Sequence, residues 1–153
     1  MKRNMIDIVE TVLDDMELHY GHDGMVFHFT MSDDRADFPI SIVALEERDL
    51  LMTIGYFPIK VGQQHLDRMC RKLNDINYST TVGAFVIDPE DGDLSFRITH
   101  NTDGGAVNEE TVKTCLLQVI ARLRDCYEDV MATLYGGPQM SFMFSPERNA
   151  AHS

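Results

Sequence analysis

Between Asn108 and Gly136 the chain carries one unbroken amphipathic stripe, and this stretch limits the fold more than any other part of the sequence. Val112, Leu116, Val119, Ile120, Leu123, Tyr127, Val130, Met131 and Leu134 recur at helical spacing. Asn108 suits an N-cap, and Glu109 and Glu110 sit in the first turn, where the helix dipole favours negative charge. Gly136-Gly137-Pro138 ends the helix. At 1.5 Å per residue, about 27 residues make a helix roughly 40 Å long, more than the width of a small domain. Either its end projects, or a second copy of the chain covers it. A homodimer is therefore expected.

The other elements are shorter. Met5, Ile8, Val9, Val12, Leu13 and Met16 mark a first helix over residues 4–18, capped by Asn4 and ended by the Gly21 to Gly24 segment. Residues 25–31, 38–46 and 50–57 read as strands, with Pro58 stopping the third. A second helix is expected over residues 61–77, then strands over 82–87 and 94–99 around the turn-rich segment 88–93. The order is α-β-β-β-α-β-β-α. Strands grouped between single helices indicate an α+β domain with an antiparallel sheet packed by helices. A single domain over residues 1–136 is expected, followed by an apolar arm over 137–153.

Charge narrows the partners. Thirteen Lys and Arg against 25 Asp and Glu leave a net charge of −12. That argues against nucleic acid and against anionic membrane surfaces, both of which need cationic groups. The start of the chain is basic but no apolar run follows, so no signal peptide is expected and the compartment read is cytoplasmic. Cys70, Cys115 and Cys126 are odd in number and lack C-x-x-C spacing. They read as three buried small hydrophobes.

Chemistry is sparse. Asp88, Glu90, Asp91 and Asp93 resemble a calcium loop, but Asp93 and Thr99 stand where the sixth-position glycine and twelfth-position glutamate belong, so a hairpin turn fits better. No phosphate loop, dinucleotide fingerprint or nucleophile elbow is present in the sequence. No cofactor, metal or catalytic residue is assigned, and the chain is read as a non-enzyme. The competing reading is a small metal-dependent enzyme using His22 and Asp23, or Cys115 with His28 or His100. Arg68, Arg71 and Lys72 form a local basic cluster, read as a solvated helix face.

The end of the sequence is unusual. Met140, Phe142 and Phe144 alternate with Ser141, Met143 and Ser145 between two prolines. A two-residue period describes an extended arm with one apolar face. It docks either on its own sheet or third helix, or across a dimer or onto a partner. Met140, Phe142, Met143 and Phe144, with Tyr127, Met131 and Leu134, are the candidate partner or dimer contacts.

Several segments carry a family likeness: residues 73–77, Leu-Asn-Asp-Ile-Asn; residues 82–88, Val-Gly-Ala-Phe-Val-Ile-Asp; residues 91–97, Asp-Gly-Asp-Leu-Ser-Phe-Arg; and residues 130–136, Val-Met-Ala-Thr-Leu-Tyr-Gly. With the element order, they resemble YbjN-like proteins, a bacterial group with a type III secretion chaperone-like fold. The resemblance implies a non-catalytic protein-binding module: a regulatory adaptor, or alternatively a secretion-type chaperone for a specific protein client. It implies no role for the apolar arm.

Overall fold

The computed structural model describes residues 4–102 and 107–136. Asn4 opens the first helix, α1 (Met5–Asp15), its Oδ1 accepting the Asp7 N–H at 2.8 Å. The helix ends earlier than its apolar pattern suggests. Glu17 takes φ 58°, in the left-handed region that breaks the helical path. The segment expected only to terminate the helix then forms a short strand, β1 (Gly21–Asp23), held by pairing to β2 (Val26–Ser32). The His22 ring stacks on Phe27 with centroids 4.0 Å apart.

β3 (Asp37–Leu45) and β4 (Leu50–Lys60) follow, separated by a single 3-10 turn at Glu46–Arg48. Pro58 does not stop β4. The register slips between Tyr56 and Lys60, and the irregularity absorbs the missing proline N–H. A 3-10 turn at Gln63–His65 delays the second helix, α2, to Leu66–Tyr78. β5 (Ala84–Ile87) and β6 (Asp93–Asn101) flank the acidic turn, where Gly92 at φ 77° allows the reversal. The last helix, α3 (Glu109–Tyr135), is capped by Asn108, whose Oδ1 accepts the Thr111 N–H at 2.8 Å.

All six strands form one antiparallel sheet in the order β1-β2-β3-β4-β6-β5. The expected α+β architecture is present, with β1 as an added edge strand. All three helices pack into one core with the rows headed by Phe27, Phe29, Phe38 and Ala44. Gly55 lets α3 approach the sheet: a Cβ there would point into Leu123 and lie 2.7 Å from Val119 Cγ1.

The long helix does not project. Val112, Leu116, Val119, Leu123, Val130 and Leu134 are all buried within one chain, from its first turn to its last. The sheet and the two shorter helices together are wide enough to cover 27 residues. Its length alone therefore does not require a second copy. Cys115 and Cys126 are buried as expected, but Cys70 is exposed on α2, because the buried face of that short helix passes through Met69 and Leu73 instead.

Candidate protein-binding surface

Side chains alternate across a strand, so the core-facing residues fix the opposite set. The pairing register places them in rows: Val26, Val43, Met52 and Thr99; then His28, Ser41, Ile54, Arg97 and Ala84; then Tyr56, Ser95 and Val86. None of these residues belongs to the cluster on which the three helices pack, although Ile54 and Ser95 are themselves buried. Ile54 is only 7% exposed yet lies outside the core cluster, so its neighbours on the outer rows bury it. Across β2 to β6 these rows hold one cation, Arg97, and no carboxylate, while Asp23 of β1, paired with Val26, ends the first row and Asp37, paired with Ser32, stands on the same face at the start of β3. The middle of the outer face is thus a half-buried apolar strip, Val43, Met52 and Tyr56 around the buried Ile54, flanked by the exposed polar side chains of His28, Arg97 and Thr99. A contiguous apolar patch bounded by polar groups is the usual mark of an interaction surface.

The signal for this face is present in the sequence. Residues 40–45 and 50–56 are largely apolar at both parities, whereas a strand with one wet face alternates. Such runs identify strands covered on both sides. In this chain the helices cover one side only.

The two sheet edges differ. At β5, the Asn77 side chain takes the place of a neighbouring strand. Its Oδ1 accepts the Phe85 N–H at 2.8 Å, and its Nδ2 donates to the Phe85 carbonyl at 3.0 Å. This closes the edge against strand addition at that point. Asn77 ends the 73–77 segment of the family likeness, but its structural role is not legible there, because its pairing joins a helix end to a strand through the fold.

Of the candidate contacts on α3, Leu134 is 3% exposed and already buried in its own chain. Tyr127 is half-buried, edge-on to Phe38 at 5.9 Å and stacked on Phe57 at 6.3 Å. The Arg35 guanidinium lies 4.7 Å from the Tyr127 ring centroid. Met131 is half-buried against the core. Met140, Phe142, Met143 and Phe144 lie outside the described residues. Arg35 also donates to Glu128 at 3.1 Å and to the Arg124 carbonyl at 3.0 Å, so the β2–β3 turn clasps α3. Asp33 anchors that turn. The Arg35 backbone N–H, then the Arg35 guanidinium and the Ala36 N–H, hold its carboxyl below the usual value.

The basic cluster is a clasp as well. Arg68 donates from Nε and Nη2 to the Thr133 carbonyl at 3.1 and 2.9 Å, and Lys72 pairs with Asp129 at 3.8 Å.

The residues weighed for catalysis are partly brought together. His100 and Cys115 line one open cleft of about 410 Å³ between β6 and the start of α3. Burial pushes the Cys115 thiol up, which keeps it protonated and a poor nucleophile. His22 contacts the Gly24 carbonyl at 2.6 Å and packs on Phe27. Among the described residues no group of three or more His, Cys, Asp or Glu could hold a metal ion. No described helix is long and apolar enough to cross a membrane.

The class so defined is an α+β domain with helices packed on one face of an antiparallel sheet. The chain belongs to the YbjN family, whose description is "Putative bacterial sensory transduction regulator" and whose profile matches residues 6–131. Its fold is similar to that of YbjN from E. coli, at 13% identity and TM-score 0.61, over 82% of this chain and 89% of that one. It is similar to a chain of the ExsC–ExsE complex at 10% identity and TM-score 0.56, over 88% and 100%. The type III secretion chaperone SycH of Yersinia pestis, crystallised with a fragment of YscM2, aligns at 13% identity and TM-score 0.48, over 78% and 97%. No functionally curated protein matches the sequence significantly.

Proposed function

We propose that this protein is a non-catalytic regulatory adaptor that holds a partner protein on the outer face of its sheet. The observation that carries the reading is the apolar strip of Val43, Met52, Ile54 and Tyr56 on the sheet face opposite the cluster that the helices share. The family description as a regulator and the presence of a protein-bound chain among the fold neighbours support it. So does the state of Cys115, a buried thiol that shares a cleft with His100, since its pKa is raised. The protein acts in the cytoplasm. It pairs as a homodimer along the last turns of α3, where Tyr127 and Met131 are half-buried and Tyr135 is 63% exposed.

Two measurements test this. Sedimentation at micromolar concentration is expected to give about twice the chain mass of 17.4 kDa, and a monomer contradicts the dimer. In pull-downs from the native host, Val43→Asp/Met52→Asp is expected to lose the partner that wild type retains, while Leu117→Asp on the exposed side of α3 keeps it. Equal recovery by the sheet-face variant overturns the binding surface.

A further inference from the structure

We propose that residues 138–146 are an intramolecular ligand for the outer sheet face, occupying in cis the surface that a partner must reach. The proposal rests on the binding-surface reading and adds its regulation.

Three observations converge on this segment. Its pattern matches the surface. Met140, Phe142 and Phe144 fall on one side of an extended chain, which is the arrangement that lies flat on a pleated apolar strip. Its charge matches as well. From Gly136 to Pro146 the sequence has no ionisable side chain, in a protein of net charge −12. Across β2 to β6 the three outer rows hold no carboxylate, with Asp23 and Asp37 only at their margins. An uncharged apolar segment loses no ion hydration on docking there, whereas the acidic faces of α1 and α3 offer it little.

The third observation is where the segment starts. Arg68 fixes the Thr133 carbonyl, and Arg35 fixes the Arg124 carbonyl and Glu128. Tyr127 lies against Phe38 at the start of β3 and Phe57 near the end of β4. The chain therefore leaves α3 beside the first turn of α2, which follows the end of β4 after residues 61–65. At roughly 3.3 Å per residue, the eight residues 137–144 reach about 26 Å, enough to round a layer about 10 Å thick and lie along the far face.

Photocrosslinking tests the placement in the full-length protein. With benzoylphenylalanine in place of Phe142, the expected adducts are to residues 41–56 of the same chain. Mixing light and isotopically heavy protein identifies the chain. Adducts to α3 around Leu117 or Tyr135, adducts between light and heavy chains, or no adduct overturn the proposal.

A second arm uses the apolar dye ANS. Phe142→Asp/Phe144→Asp is expected to raise dye emission at least twofold, and adding Met52→Asp is expected to return it to the wild-type level. No rise, or a rise that Met52→Asp leaves in place, overturns the proposal. The two readings fail separately. If adducts miss the face while Val43→Asp/Met52→Asp still loses the native partner, self-docking is wrong and the binding surface stands.

Discussion

Replacing Gly55 with alanine tests how closely α3 rests on the sheet. Gly55 lies mid-strand in β4, paired with Ile40 on one side and Phe96 on the other. An added Cβ would point directly into Leu123 Cδ1, lie 2.7 Å from Val119 Cγ1 and lie 3.3 Å from Ile40 Cδ1. Carbon atoms pack best at about 3.5–4.0 Å, so the helix or its side chains must move by about 1 Å. Val119 and Leu123 are fully buried and cannot swing into solvent. Overpacking of this kind costs about 1–3 kcal/mol, partly offset by the ~0.4–1 kcal/mol gained when glycine is removed from the unfolded chain. A net loss of about 1–2 kcal/mol corresponds to a drop in Tm of roughly 2–8 °C for a domain of this size.

The assay is thermal unfolding followed by far-ultraviolet circular dichroism, which suits a chain without tryptophan. The double variant Gly55→Ala/Leu123→Ala sharpens it. Leu123→Ala alone leaves a cavity that the new methyl partly fills, so the pair is expected to be less destabilised than the sum of the singles, by about 1 kcal/mol. A Tm at or above wild type for Gly55→Ala, or strict additivity, would refute the packing argument.

Three further outcomes follow from the same geometry. The Thr53 hydroxyl is fully buried with no hydrogen-bond partner among the described residues, so the near-isosteric Thr53→Val is expected to raise stability by about 1 kcal/mol in urea unfolding. Asn77→Ala removes both bonds to Phe85 and should cost about 1–2 kcal/mol, and Asn77→Asp, which keeps only the acceptor, should not restore wild-type stability. Asp33 titrates below its ordinary value of 3.8, so its contribution is present above that pH and is lost as pH falls through the lower folded value. The gap in Tm between wild type and Asp33→Ala should therefore be constant near neutrality and close below about pH 4. A gap that widens in acid would reverse the assignment.

Local signals were legible in the sequence where one residue's chemistry decides the outcome. Asn4 and Asn108 cap the helices expected of them, and the 88–93 segment turns on Gly92. The α3 stripe was readable because its buried positions recur without a break. What escaped depends on partners distant in sequence. β1 is three exposed residues whose strand state comes from β2 and from the Phe27 ring, not from its own composition. Pro58 continues β4 because the register with β6 slips there.

The burial of α3 along its whole length depends on the sheet and two helices together, which no single periodicity reveals. The outer face lay between these cases. Its residues were read as strands, but the uniform apolarity of 40–45 and 50–56 also shows that the second side is apolar, and only the fold shows that the helices leave that side uncovered.

Crosslinking from the outer face itself decides whether a partner protein binds there. Benzoylphenylalanine at Met52, in cells of the native host carrying Phe142→Asp/Phe144→Asp, is expected to capture a distinct protein, with the same photoprobe at Leu117 as the control. A specific adduct from Met52 and none from Leu117 is the predicted result. An adduct from Leu117 alone, or none from either position, would contradict the account.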